Sequence, residues 1–339
     1  MLKEIELSRD YLAGEAVETI YLGGGTPSLL TVADIQQIVE QLARYHSISN
    51  LKEFTLEANP DDLTNEKVTS LQQLKPLGFN RFSIGIQSFF DDDLKYMNRA
   101  HNATEALTVV KRVQDAGFDK VTIDLIYGTP TMNDERWLQN LKTAFGLDVP
   151  HISSYALTVE DKTGLERKIA KGEYKPVEEE QSARQFKMLM QQMKANGYEQ
   201  YEISNFAKPG RYAVHNTNYW RGKKYLGLGP SAHSFNGTSR RWNVANNINY
   251  INSIAAGSIL FEEEILTPAQ QVNERIMTAL RTQWGLPILD LGMRNADLIQ
   301  NSLKGINPTH YYLAEGVLKL TEEGKLFADA IAAELFLED

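Results

Sequence analysis

The stretch Ile20-Tyr21-Leu22-Gly23-Gly24-Gly25-Thr26-Pro27-Ser28 decides how this chain is read. An apolar strand candidate ends there in three consecutive glycines and a Thr-Pro. Glycine at the C-terminal end of a strand has no Cβ to hold a ligand off the backbone, and positive φ is open to it. The run therefore reads either as a binding edge or as a plain strand-to-helix turn.

Working outward, β-rich segments recur at Val17–Leu22, Glu53–Ala58, Arg81–Gln87, Lys120–Tyr127 and His151–Val159, alternating with segments of helical period. This is the pattern of parallel βα units, with five parallel strands implied. The helices carry stop and start signals. Thr31 with Asp34 resembles a capping box before Ile35, Ile38, Val39 and Leu42, and Asn102 with Glu105 precedes Ala106, Val109, Val110 and Val113. Those stripes are core positions. Only a helix-like segment, Leu2 to Leu12, precedes the first strand, which is an unusual start for a barrel of βα units. A first strand upstream of Met1 is expected from this, with a natural chain bearing an exposed sheet edge as the alternative.

The chain has 339 residues, 42% hydrophobic and 23% charged, with a net charge of −9 and no cysteine. It is long enough for a substantial core. It has no apolar run of about 18 residues and no signal-like N-terminus, so a cytoplasmic protein without a membrane span is expected. The negative charge disfavours nonspecific binding to nucleic acid or anionic membrane. Without cysteine there is no disulfide, thiolate nucleophile or cysteine-held iron–sulfur cluster in this chain.

Glu160 to Glu180 reads as a charged connector, followed by a helix with Phe186, Leu189, Met190 and Met193 on its buried stripe and Gly197 at its end. Tyr198–Phe206 and Tyr225–Phe235 read as strands of a small antiparallel element. Thr267-Pro268 opens a helix to Trp284, and the hairpin-like Gly316 to Leu320 with a last helix through Phe327 and Leu335 resembles a winged-helix module with a packing or lid role. The expected division is residues 1–160, a partial barrel; 161–260, connector helix and small β element; and 261–339, a winged-helix-like α+β domain.

Ligands of parallel βα folds bind at the C-terminal ends of strands. In order these ends supply Gly23, Gly24, Gly25 and Thr26; Glu57 and Asn59; Gln87 and Ser88; Asp124 and Tyr127; and Tyr155 and Ala156. Arg99, after the third strand, adds a fork suited to a carboxylate. Each has a local alternative: Glu57 as a helix cap, Gln87 bonded to loop backbone, Asp124 paired with Lys120 or Arg112. Together they point to a ligand with several hydrogen-bonding demands.

The runs IYLGGGTPSLL, EANPDDLT, GFNRFSIGIQSF, MNRAH, IDLIYGTP and ISSYALTVE resemble the radical S-adenosylmethionine (SAM) family, in its oxygen-independent coproporphyrinogen III oxidase branch. His215-Asn216-Thr217-Asn218-Tyr219-Trp220, followed by YLGLGPSAHSF, is similar to the HNxxYW element of the HemW-type heme chaperones in that branch. The resemblance implies an α/β fold: a partial (βα)6 radical SAM barrel lacking its first strand. It implies S-adenosylmethionine contacts at Gly24, Gly25 and Thr26 through backbone, at Glu57, Gln87, Arg99 and Asp124 through side chains, and at Ala156 near the adenine. It also implies heme or porphyrin and heme-accepting proteins as partners, with His215 as a heme ligand. For His215 a purely structural role in a loop, with Tyr219 and Trp220 packing, stands beside that reading; His233 reads as structural. Catalytic residues and protein metal ligands are expected to be absent from the chain. The family's CxxxCxxC, which holds a 4Fe-4S cluster, is missing, and its loss together with the first strand fits an N-terminal truncation; the cluster is expected only in a longer form carrying that sequence. Three functions follow from these residues. They are a HemW-like heme chaperone, an oxygen-independent coproporphyrinogen III oxidase, and a cluster-free binding module.

Overall fold

A computed structural model of the chain describes residues 1–338. The chain forms two compact units, interleaved in sequence. One consists of Thr19–Val32 and Glu53–Ala213; the other of Met1–Glu18, Ala33–Lys52 and the chain from Val214 onward. The barrel-forming unit thus extends well past residue 160, and two early segments belong with the C-terminal half.

The first unit is built on a seven-stranded sheet. Its strands are β1 (Thr19–Leu22), β2 (Glu53–Ala58), β3 (Arg81–Gln87), β4 (Lys120–Tyr127), β5 (His151–Ala156), β6 (Glu199–Glu202) and β7 (Asn205–Ala207), in the order β1-β2-β3-β4-β5-β7-β6. The first five are parallel neighbours, as the alternation of strand and helix required. The sheet curls into a half-barrel.

Successive side chains of a strand point to opposite faces. The register aligns Phe54, Leu56, Phe82, Ile84, Val121, Ile123, Leu125 and Ile152 on the helix-covered face, each at most 1% exposed. The helices Ala103–Asp115 and Glu179–Ala195 pack against β4. The first starts with the anticipated Asn102/Glu105 capping box, and the second buries Phe186, Leu189, Met190 and Met193. Edge-to-face contacts from Phe79 to Phe54, Phe82 and Phe118, at 5.4, 5.0 and 5.4 Å, close the end of this core.

The opposite, concave face is polar. Near the strand starts Arg81 Nε donates to Glu53 Oε2 at 2.9 Å and its Nη1 to Thr122 Oγ1 at 2.8 Å. Both partners of the ion pair are buried. His151, next along the row, lies 2.8 Å from the Tyr201 hydroxyl, and burial holds its imidazole well below the usual pKa. Ser83, Asp124 and Ser153 continue this face toward the strand ends.

The reading of Tyr198–Phe206 as part of a separate small element is corrected. β6 and β7 form a hairpin, and β7 pairs antiparallel with β5 through His151↔Ala207, Ile152↔Phe206 and Ser153↔Asn205. The physical reason is the sheet edge: β5 would otherwise present unpaired backbone groups. β1 starts at Thr19 rather than Val17, and β5 stops at Ala156 rather than Val159. The connector holds a short helix, Gly164–Ala170, that buries none of its residues.

In the second unit, Tyr225 makes only a bridge to Phe235. The strands proper are β8 (His233–Phe235), β9 (Ser239–Asn243) and β10 (Phe261–Ile265), antiparallel in the order β10-β9-β8. The N-terminal helix is Leu2–Leu7, shorter than the pattern suggested. Its Glu4 is fully buried and accepts hydrogen bonds from Gly229 N at 2.8 Å and from Asn243 Nδ2 and Tyr250 Oη at 2.5 Å each. The helix Pro268–Leu280 begins with a Thr267/Gln270 capping box and Pro at its first turn, and stops short of Trp284. β11 (Leu286–Pro287), β12 (Tyr311–Ala314) and β13 (Val317–Leu320), in the order β11-β13-β12, form the winged-helix-like sheet with the helices Met293–Ser302 and Ala328–Glu334.

Removing one partner of a buried ion pair strands the other charge, at a cost of about 3–5 kcal/mol. Arg81→Met is therefore expected to lower the urea midpoint strongly, and the double change Arg81→Met with Glu53→Leu to recover much of the loss. A small effect of the single variant in urea unfolding would show that the pair does not hold the half-barrel.

Candidate functional site

At the end of β1, Gly24 and Gly25 take φ of +73° and +63°, and a Cβ built on either meets no atom within 4 Å. Their backbone is open to solvent, and Thr26 beside them is exposed. Gly23 differs: a Cβ there would lie 2.5 Å from Tyr21 Cε1 and 3.1 Å from Glu57 Cδ. That space is taken because Tyr21 folds toward Glu57. Tyr21 Oη donates to Glu57 Oε1 at 2.5 Å, and Gly24 N donates to Glu57 Oε2 at 3.2 Å. Glu57 is therefore a fixed carboxylate at the strand end and not a helix cap.

β3 ends irregularly. Its register with β4 shifts between Ile84 and Gln87, and Gln87 has φ +63°, a left-handed conformation that non-glycine residues seldom adopt. The turn brings its side chain over Gly85, where a Cβ would meet Gln87 Nε2 at 2.8 Å and Arg99 Nη2 at 3.3 Å. Arg99 Nη2 donates to Asn59 Oδ1 at 2.8 Å. Burial lowers the pKa of this guanidinium, against the Asp61 and Asp124 carboxylates that raise it. Gln87 at the end of β3 and Arg99 and Asn59 from two separate loops are thus brought together.

Asp124 lies on the concave face of β4. Burial pushes its carboxyl up to about 7, helped by the negative charge of Glu57 and opposed by hydrogen bonds from Ser153 and Ser83 and by the charge of Arg99. The Ser83 hydroxyl is 3.5 Å from Oδ2. Lys120 and Arg112 are not its partners; Arg112 Nη1 donates to the Leu63 carbonyl at 2.5 Å. Ala156 is exposed at the end of β5, its register partner Tyr127.

Two of the strand-end residues turn away. Ser88 is buried and donates to Asp93 Oδ2 at 2.7 Å, and Tyr127 packs against Trp137. Sequence reasoning missed four groups that do face the site: Tyr21, Ser83, Ser153 and Asn205. Tyr21 and Ser83 share the parity of Glu57 through β1 and β3, a signal available from alternation. Asn205 had none, because it reaches Ser153 Oγ (2.7 Å) only through the hairpin that extends the sheet. Tyr155, half-exposed above the row, has its phenol pKa raised by burial and by Asp124.

In the second unit His215 lies on the helix Val214–Trp220, half-buried, which corrects the loop reading. Tyr219, one turn further on, is 41% exposed. Trp220 packs under Arg281, with the guanidinium carbon 5.3 Å from the ring centre. Asn218 Nδ2 donates to Glu18 at 3.2 Å, and Lys52 and Lys223 flank the same carboxylate, whose pKa is lowered to about 2. His233 is exposed and stacks on Trp242 at 6.1 Å. Among the described residues no cluster of three or more His, Asp or Glu side chains is arranged to hold a metal ion.

A model of the Radical SAM superfamily matches residues 3–144. The solved structure of coproporphyrinogen III oxidase (HemN) from Escherichia coli, described as a radical SAM enzyme, superposes with a TM-score of 0.79 at 21% identity, covering 99% of this chain and 81% of that one. The chain belongs to the radical SAM superfamily, in its HemN-like branch. It is 34% identical over 326 residues to the heme chaperone HemW of Bacillus subtilis (strain 168), covering 93% of this chain and 84% of that protein. With the heme chaperone HemW of Mycobacterium tuberculosis (strain CDC 1551 / Oshkosh) it shares 31% identity over 343 residues, 98% of this chain and 84% of that one. Among the described residues no helix is long and apolar enough to cross a membrane.

The Asp124 environment makes a pH prediction. Between the ordinary carboxyl value of 3.8 and about 7 the folded chain keeps a proton that the unfolded chain has released, so stability held by neutral Asp124 is lost as pH rises through that window. Melting curves of the wild type and Asp124→Asn should converge at the acid end, with the wild type falling relative to the variant toward neutrality. Parallel curves across that range would refute the shift.

Proposed function

We propose that this chain is a HemW-like heme-handling protein that binds S-adenosylmethionine at the mouth of its half-barrel and heme at the His215 helix for delivery to acceptor proteins. The observation that carries the first half is the convergence of Glu57, Gln87, Arg99 and Asp124 beside the open backbone of Gly24 and Gly25. A zwitterion bearing a ribose needs that donor and acceptor set. The Glu57 carboxylate suits an ammonium, the Arg99 fork a carboxylate, and Asp124 and Gln87 a pair of hydroxyls. Gly24, Gly25 and Thr26 offer backbone groups that no Cβ obstructs, and Ala156 an exposed backbone edge for the adenine. When bound, S-adenosylmethionine would supply a sulfonium and an adenosyl group.

A 4Fe-4S cluster does not fit this chain. It has no cysteine, and its described residues hold no cluster of side chains suited to a metal. Reductive cleavage of S-adenosylmethionine is therefore not assigned to it, nor is the oxidative decarboxylation of coproporphyrinogen III that would depend on it. The heme half rests on the similarity to HemW proteins over most of the chain and on the placement of His215, with Tyr219 a turn away, on one short helix.

Equilibrium dialysis with labelled S-adenosylmethionine is expected to show saturable binding that Arg99→Ala weakens by roughly tenfold or more, the loss of a charged hydrogen bond being worth about 1.5–3 kcal/mol. Binding unaffected by both Arg99→Ala and Glu57→Gln would place the ligand elsewhere. In a parallel heme titration, His215→Ala is expected to shift the Soret band and weaken binding. An unchanged spectrum removes His215 as the iron ligand.

A further inference from the structure

The left-handed backbone at Gln87 is the centre of a tight turn at the end of β3. Ser88 N donates to the Ile86 carbonyl, two residues back, at 2.8 Å, across the φ of +63° at Gln87. That is a γ-turn of the rare, strained kind. A residue other than glycine keeps such a conformation only where its surroundings over-determine it.

Two buried clamps do so here. On the far side Asn140 Oδ1 accepts from Phe89 N at 2.8 Å, and Asn140 Nδ2 donates to Ser88 Oγ at 3.1 Å. Ser88 Oγ in turn donates to Asp93 Oδ2, and all three residues are fully buried. On the near side His101 Nε2 lies 3.0 Å from the Ile86 carbonyl oxygen, which takes this hydrogen bond beside the one from Ser88. A carbonyl only accepts, so Nε2 carries the proton. Nδ1 is then the bare nitrogen, and it has no hydrogen-bond partner among the described residues. His101 is 3% exposed; burial lowers its pKa, with the charge of Arg99 adding to this and the Ile86 carbonyl, Asp61 and Glu105 opposing it. At neutral pH the imidazole is uncharged, and its one proton is committed to Ile86.

The bond matters because of what stands at its two ends. Ile86 immediately precedes Gln87, and His101 follows Arg99 by two residues. The start of the Arg99 loop is tied by Arg99 N to the Leu94 carbonyl at 2.8 Å, and its end opens the helix Ala103–Asp115. His101 ties the loop to β3. Gly85 leaves room for the result: a Cβ there would meet Gln87 Nε2 at 2.8 Å and Arg99 Nη2 at 3.3 Å, so any side chain would push both groups away.

We propose that His101 is a positioning residue of the half-barrel mouth: through the Ile86 carbonyl it locks the Gln87 turn to the Arg99 loop, so that the Gln87 carboxamide meets a ligand already set beside the guanidinium. A preset pair spares the ligand the cost of ordering it. The effect on binding rests on the reading that S-adenosylmethionine occupies this mouth; the lock itself does not.

Three variants of the full chain test it. His101→Leu removes the donor, and His101→Gln returns an N–H the same number of bonds from Cβ. Without ligand, amide exchange at Ser88 is expected to be at least about tenfold faster in His101→Leu and near wild type in His101→Gln. With labelled S-adenosylmethionine, His101→Leu should weaken binding about fivefold, the worth of one net hydrogen bond, and His101→Gln should recover most of that loss. In a Gln87→Ala background the further loss from His101→Leu should shrink to about twofold or less, since the effect passes through that side chain. Gly85→Ala, which leaves the His101 bond intact, should weaken binding without speeding exchange at Ser88. Unchanged exchange in His101→Leu, no recovery in His101→Gln, a full further loss in the Gln87→Ala background, or wild-type binding by Gly85→Ala would each overturn the proposal. A wild type that does not bind S-adenosylmethionine removes the ligand reading, and the exchange comparison still decides the lock. Should His101→Leu not fold, the Gly85→Ala arm decides whether the pair must be preset.

Discussion

The constraint on which the half-barrel depends is the shared parity of its five parallel strands. In each strand every second residue faces the concave side, and the registers Thr55↔Arg81, Glu57↔Ser83, Ser83↔Thr122 and Asp124↔Ser153 bring those residues into line. A slip of one residue in any strand would place Phe82 or Ile123 in the mouth and bury a carboxylate under the helices. The apolar face resists this, since its side chains are almost wholly enclosed. Fold stability and site chemistry are therefore set by one alternation: burial on the outer face holds the polar row on the inner one.

Along that row the electrostatics change with depth. At the strand starts Arg81 and Glu53 neutralise each other, and His151 is kept uncharged by burial. At the strand ends compensation is incomplete. Arg99, bonded to Asn59, is set against the Asp61 and Asp124 carboxyls, and burial, with the nearby charge of Glu57, lets Asp124 hold its proton up to about 7. Tyr21 belongs to this balance, since its hydroxyl and the Gly24 amide together fix both oxygens of Glu57.

The second unit is held by a different buried carboxylate. Glu4, near the chain start, takes hydrogen bonds from residues more than two hundred positions away and anchors both the Gly229 loop and the helix Asn247–Ala255. Leaving such a carboxylate without its donors would cost more than most single surface contacts contribute. That explains why a short N-terminal helix is integrated with the C-terminal half of the chain, a connection with no local sequence signal.

Much of this was legible along the chain because it is local. Period-two and period-3.6 patterns located the five parallel strands and their helices, with β2, β3 and β4 to the residue, and the capping residues Asn102 and Thr267 marked helix starts. The strand-end rule singled out Glu57, Gln87 and Asp124, the loop after the third strand added Arg99, and the lack of cysteine excluded thiolate ligation by this chain. Other features exist only through contacts distant in sequence. The hairpin at Glu199–Ala207 joined the main sheet because the β5 edge needed a partner, which its own residues do not encode. Ser88 and Tyr127 turned inward to the core while Gln87, through a bulge and a left-handed backbone, turned out to meet Arg99. Alternation tells which residues can share a face; pairing register and burial settle which of them meet.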